Sequence, residues 1–114
     1  MPLISTKVSN TITPEKEERL KTELGKAISI LSGKSERWLM LTFEDNCRMY
    51  FHGDNSQPMA FLEVKVLGEI DPIESEQLSS EICRILNSEL GISPDCTYIK
   101  YEEVEQWGFN GGNF

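Results

Sequence analysis

Two stretches of the chain carry apolar residues at helical intervals. The first places Leu20, Leu24, Ala27, Ile28 and Leu31 on one stripe, and the second places Leu78, Ile82, Ile85, Leu86 and Leu90 there. Each stripe has a polar opposite side, the pattern of a helix that buries one face. Thr13-Pro14 precedes the first and Asp71-Pro72 the second, an order that predicts an N-cap followed by proline in the first turn. Asp71 and Glu74 also stand at capping-box spacing. Gly33 and Gly91 are predicted to end the helices as left-handed C′ residues. Runs rich in β-branched and apolar residues flank both stripes: PLISTKV (2–8) and AFLEVKV (60–66) before them, Trp38 to Phe43 and Thr97 to Tyr101 after them. These are predicted strands.

The two sets are copies of one pattern. Shifting the chain by 58 residues brings 2–44 onto 60–102 without a gap, and ten of the 43 aligned positions are identical. The match recurs in helix-like and strand-like segments alike, as a duplicated structural unit requires. Each unit reads strand–helix–strand, and a crossover of that length joins parallel strands with right-handed chirality. The expected fold is therefore α+β: duplicated β-α-β units, one domain over 1–114, forming a four-stranded mixed sheet with both helices on one face. Between the units, Arg48 to Phe51 reads as a short strand and His52 to Ser56 as a turn. Alternation in WLMLTF sends Trp38, Met40 and Thr42 to one side of the sheet and Leu39, Leu41 and Phe43 to the other. Apolar side chains on both faces, with helices for only one, predict self-association, with the short strand and the aromatic tail at a subunit interface.

Charge and cysteine content narrow the function. Acidic residues outnumber basic ones 19 to 11, for a net charge of −8, which argues against a nucleic-acid partner. No apolar run is long enough for a membrane span, and the first ten residues lack the features of a signal peptide. Cys47, Cys83 and Cys96 are widely spaced, form no CxxC, and with the single His52 make no metal set. They read as reduced thiols in a cytoplasmic protein, with leaderless secretion as the alternative. No cofactor is expected.

The duplicated unit and the Met1-Pro2 start resemble the tautomerase superfamily, and within it the macrophage migration inhibitory factor and D-dopachrome tautomerase family. Further landmarks are Ser32-Gly33-Lys34, Phe51-His52-Gly53, Leu67-Gly68, Gly91-Ile92-Ser93-Pro94-Asp95 leading to Tyr98-Ile99, and Trp107-Gly108-Phe109-Asn110-Gly111. The resemblance spans essentially the whole chain. It implies a homotrimer with active sites between subunits, and a keto–enol isomerase acting on small aromatic α-keto acids such as phenylpyruvate. Pro2 would be the catalytic base once Met1 is removed. By position, Lys34, the Leu67 backbone N–H and the neighbouring subunit's equivalent of Tyr98 would hold the substrate. Trp38, Trp107, Phe109 and Phe114 would form its apolar rim. Lys100 stands where better-known members carry asparagine, which either adds a cation to the site or faces solvent. The alternative reading is a cytokine-like secreted protein with a vestigial pocket that serves a receptor.

The chemistry suits those residue types. Tautomerisation needs a base that is neutral near pH 7 and donors for the developing enolate. A free α-amine titrates at about 7.7–8.0, and burial or a neighbouring ammonium pushes that value down. With Met1 in place the Pro2 nitrogen is an amide and has no basicity. Singly, each residue has a plainer role: Lys34 follows a predicted helix end that favours cations, and Tyr98 on a strand is usually packing.

Overall fold

The computed structural model describes residues 1–114. Four strands build one sheet: β1 (Pro2–Val8), β2 (Met40–Glu44), β3 (Ala60–Leu67) and β4 (Thr97–Val104). Two helices, α1 (Pro14–Ala27) and α2 (Pro72–Leu90), lie between the strands of each unit. The sheet order is β2-β1-β3-β4. The outer pairs β1–β2 and β3–β4 are parallel, as a helical crossover requires, and the central pair β1–β3 is antiparallel. A 17-residue core joins the inward side chains of β1 and β3 (Ile4, Val8, Leu62, Val64 and Val66 among them) to the apolar stripes of both helices. The sheet is mixed and both helices cover one face, as expected.

Local chemistry explains the helix ends. The Thr13 side chain accepts a hydrogen bond from the Lys16 N–H, and Asp71 accepts from the Ile73 N–H, with proline in the first turn in both cases. Gly91 caps α2 at φ 66°, in the left-handed region. Two details differ from expectation. First, α1 stops at Ala27 and tightens into a 3₁₀ turn over Ile28–Ile30, so Gly33, at φ 77°, belongs to the following loop and is not the residue after the helix. At the first 3₁₀ position the β-branched Ile28 stands where α2 has Leu86, a better helix former. Second, Glu74 closes no capping box. Its carboxylate accepts from the Ser32 N–H and hydroxyl, tying the loop after α1 to the start of α2.

The strand edges differ too. A 3₁₀ turn occupies Glu36–Trp38, so β2 begins at Met40, and a second such turn at Pro94–Cys96 precedes β4 at the position 58 residues later. Arg48 to Phe51 forms no ladder: it runs alongside the sheet, and its one bridge, Phe51 to Asp54, closes a tight turn through the left-handed His52 and Gly53. Its backbone pairs with neither free edge of the sheet, that of β2 or that of β4. The tail pairs with itself, as β5 (Gly108–Phe109) and β6 (Gly112–Asn113), around the left-handed Asn110-Gly111 turn.

The uncovered face is more polar than the hydrophobic pattern implied. Alternation puts Ser5, Lys7, Thr42, Glu44, Glu63, Lys65, Lys100 and Glu102 across its middle. Lys100 bonds Glu102 at 2.8 Å and lies 4.0 Å from Glu63, which also pairs with Lys65. Apolar residues sit at the two ends of this face: Leu3 and Met40 at one, Phe61 and Tyr98 at the other. No helix is long and apolar enough to cross a membrane.

Candidate active site

Pro2 opens β1, a position where its missing N–H costs the ladder nothing. It is buried, and it borders an open cleft of about 800 Å³ lined by Met1, Pro2, Leu3, Arg37, Trp38, Leu39, Met40, Leu41, Trp107, Gly108 and Phe109. Two of the expected residues, Lys34 and Leu67, meet at the amino terminus beside it, though neither lines that cleft. The left-handed Gly33 turns the chain after α1, and the Lys34 N–H bonds the Leu31 carbonyl at 3.1 Å. From that turn the Lys34 ammonium donates to the Leu67 carbonyl at 3.0 Å. Leu67 ends β3 opposite the amino terminus, and its N–H donates to the Met1 carbonyl, also at 3.0 Å.

The electrostatics follow from that packing. Burial, and after it the charge and hydrogen bond of Lys34, pull the terminal amine below its ordinary range. A cation at the amino terminus is therefore disfavoured, which is the condition a basic nitrogen working near neutrality needs.

The aromatic residues close the cleft. Trp38 meets Phe109 edge-on at 5.3 Å between ring centroids and Phe114 at 6.3 Å, while Phe109 and Phe114 stack at 5.6 Å. The Phe114 N–H bonds the Trp107 carbonyl at 3.1 Å, so the β5–β6 hairpin is folded down onto Trp38. Such pairs add about 0.5–1.5 kcal/mol each beyond the area they bury. Trp38, Trp107 and Phe109 thus line the cleft, and Phe114 supports Phe109 from behind.

Tyr98 and Lys100 lie elsewhere. Tyr98 pairs with Phe61, which pairs with Lys7, whereas Pro2 pairs with Val66. Five residues of β1 separate the two positions, about 17 Å of strand at roughly 3.4 Å per residue. Tyr98 is 62% exposed and stands edge-on to Phe51 at 5.0 Å, beside a small apolar hollow of about 190 Å³. Within one chain it does not reach Pro2. Lys100 is held by its carboxylates on the uncovered face and adds no free cation to this cleft.

Arg37 was not expected at the site. Its guanidinium lies 5.3 Å over the Trp38 ring, and the residue lines the cleft with Pro2. The available sign was its place in the turn that joins Lys34 to β2, three residues after the lysine. Met40 and Leu41 also line the cleft and were read only as strand positions.

Known proteins match this chain over its whole length. The family model described as macrophage migration inhibitory factor matches residues 1–114. The macrophage migration inhibitory factor of Mus musculus is 28% identical over 116 residues, covering 100% of this chain and 97% of its own length. The crystal structure of Leishmania major MIF2 aligns at a TM-score of 0.92 and 29% identity, covering 100% of this chain and 97% of that one. The macrophage migration inhibitory factor homologue from Prochlorococcus marinus aligns at 0.83 and 29%, with 98% of both chains covered. With its whole length matched, the chain belongs to the macrophage migration inhibitory factor family.

Proposed function

We propose that this protein is a keto–enol tautomerase of small aromatic α-keto acids such as phenylpyruvate, with Pro2 as the base after loss of Met1. The observation that carries the reading is the meeting, beside the buried Pro2, of the Lys34 ammonium and the Leu67 N–H, at a terminus where burial and Lys34 lower the Met1 amine. In the keto-to-enol direction the neutral Pro2 nitrogen takes a proton from the carbon next to the carbonyl. Negative charge moves to the carbonyl oxygen, and the proton returns there to give the enol. The Leu67 N–H, freed once the Met1 carbonyl is gone, and the remaining protons of Lys34 supply donors for the oxygens. Trp38, Trp107 and Phe109 take the apolar end.

The reading includes a homotrimer. Tyr98 joins the site only from a neighbouring subunit, because its own Pro2 is at the far end of the sheet. The apolar ends of the uncovered face suit that arrangement: the Phe61 and Tyr98 end of one subunit would meet the Leu3 and Met40 end of the next.

The test is ketonisation of enol-phenylpyruvate, followed by absorbance, using protein whose intact mass shows loss of Met1 and whose sedimentation gives its subunit number. Saturable turnover by a trimer is the expected result. A trimer without turnover would favour the second reading, a cytokine-like binding protein, which the names of its relatives support.

A further inference from the structure

The turn that carries Lys34 occurs twice in the duplicated chain, and the two copies are held by different means. In the second unit Gly91 caps α2: its N–H bonds the Asn87 carbonyl and the Ile92 N–H bonds the Leu86 carbonyl. Leu90 and Ile92, on either side of that glycine, are buried in the core. Ser32, Gly33 and Lys34 stand at the equivalent positions, 58 residues earlier. There α1 has already ended at Ala27, Ser32 is exposed, and a lysine takes the place of a core isoleucine. A β-carbon on Gly33 would meet nothing within 4 Å, so the glycine has no packing to hold it.

The backbone of this turn is tied to the rest of the chain by Glu74, in the first turn of α2. One carboxylate oxygen accepts from the Ser32 N–H at 2.9 Å and the other from the Ser32 hydroxyl. Two charge-assisted bonds to one residue fix its place and its direction together. The counterpart of Glu74 in the first unit is Lys16, so the anchor has no copy. Two residues after Ser32, the Lys34 ammonium reaches the Leu67 carbonyl at 3.0 Å beside the amino terminus. Glu74, Ser32 and Lys34 border one hollow of about 450 Å³, apart from the cleft beside Pro2.

We propose that Glu74 is a positioning residue for Lys34: it holds the turn at the place and angle from which the lysine reaches the amino terminus. Its part in catalysis rests on the tautomerase reading above, whereas its effect on the terminal amine does not. The Lys34 charge helps to keep that amine below its ordinary range, so a turn that swings free should let the amine pKa rise. Loss of the Glu74 charge acting through space would do the opposite, because removing a nearby anion disfavours a cation. The sign of the shift separates the two roles. The other charged groups facing this corner are Glu69 and Asp71 in the hollow, Glu103 on the Ile70 N–H, and Arg37 in the cleft beside Pro2. All four stay in place in the variants below.

The terminal amine can be titrated without any turnover, by NMR of the Met1 α-carbon in full-length chain that retains a carbon-labelled Met1. Ser32→Ala removes one of the two bonds and no charge, and its midpoint should lie above that of the parent. Glu74→Ala removes both bonds, and despite the lost anion its midpoint should rise by at least about half the rise in Lys34→Gln. On a Lys34→Gln background neither change should raise the midpoint further. Thermal melting of each variant reports the fold. A lower melting temperature with the parent's midpoint would leave Glu74 as a structural tie and overturn the proposal. A midpoint that falls, or a rise that persists without Lys34, would overturn it as well. Ketonisation of enol-phenylpyruvate by the Met1-free forms separates it from the catalytic reading. A raised amine midpoint in a chain without turnover removes the tautomerase and leaves the anchor of Lys34. Turnover with an unmoved midpoint removes the anchor and leaves the tautomerase.

Discussion

Protein that keeps Met1 is expected to ketonise enol-phenylpyruvate between about 10²-fold and 10⁴-fold more slowly than the same chain beginning at Pro2, the range that a positioned general base contributes. The loss has two physical sources. The Pro2 nitrogen is acylated by Met1, and its lone pair is delocalised into the amide and does not accept a proton. The Met1 carbonyl also takes the Leu67 N–H, at 3.0 Å, so a donor for substrate oxygen is occupied by the chain itself. Losing one such donor typically costs about 10²–10³ in rate, and the two losses overlap because base and donor act on the same proton transfer. Paired rate measurements on samples of verified mass check the prediction. Equal rates in the two forms would remove Pro2 from the chemistry.

The pH profile of the processed form carries a sign that can be worked out. Only the neutral amine is a base, so kcat/KM should rise with pH and level off above the amine pKa. Burial first and Lys34 second lower the pKa of the terminal amine in the Met1 form. With Pro2 itself buried, the same two causes are expected to act on its nitrogen as the terminus, which places the midpoint below the usual range of about 7.7–8.0. Lys34→Gln removes the second cause and should move the midpoint up, toward that range. A lysine that only binds substrate would change the height of the profile and leave its midpoint in place.

How much of this was legible before the structure depends on how local each cause is. The caps at Thr13 and Asp71 and the left-handed Gly91 follow from a few adjacent residues, and they stand where the sequence places them. The two apolar stripes also assign the core, because a stripe has only one face to bury. Glu74 shows where such reasoning ends. Its capping-box spacing is genuine, yet its carboxylate is taken by Ser32, 42 residues earlier in the chain, and spacing holds no information about that contact. Arg48 to Phe51 has the composition of a strand, yet it forms no ladder, and composition does not say whether a segment will be brought into register with an edge. At the site, Pro2, Lys34 and Leu67 come together through one turn and one strand end. Arg37 was missed because its stacking on Trp38 depends on the 3₁₀ turn over Glu36–Trp38, whose last residue alternation had read as the start of a strand. The Lys100 ion pairs depend on neighbouring strands, so its sequence position alone did not show whether its charge was free.

The second large effect concerns the core, where the two units make matching demands. Leu24 on α1 and Ile82 on α2 are 58 residues apart, are fully buried, and belong to the same cluster beneath the sheet. Truncating either to alanine removes several buried carbons and leaves a cavity that its neighbours fill only in part, so each change is expected to cost about 2–5 kcal/mol in unfolding free energy. The comparison between them is the sharper test. Two helices packed on one sheet through one continuous cluster leave neither unit a core of its own, so Leu24→Ala and Ile82→Ala should each lower stability for the whole chain in a single transition. Denaturant unfolding followed by far-ultraviolet circular dichroism and by tryptophan fluorescence reads this out, since Trp38 and Trp107 report on the cleft and the dichroism on both helices. Both variants and the parent must be measured at one protomer concentration, because association links stability to concentration. Coincident transitions, shifted to lower denaturant by similar amounts in the two variants, are the expected result. A variant in which the dichroism falls in two steps would show that one unit holds its fold without the other, and that the shared core is not what binds them.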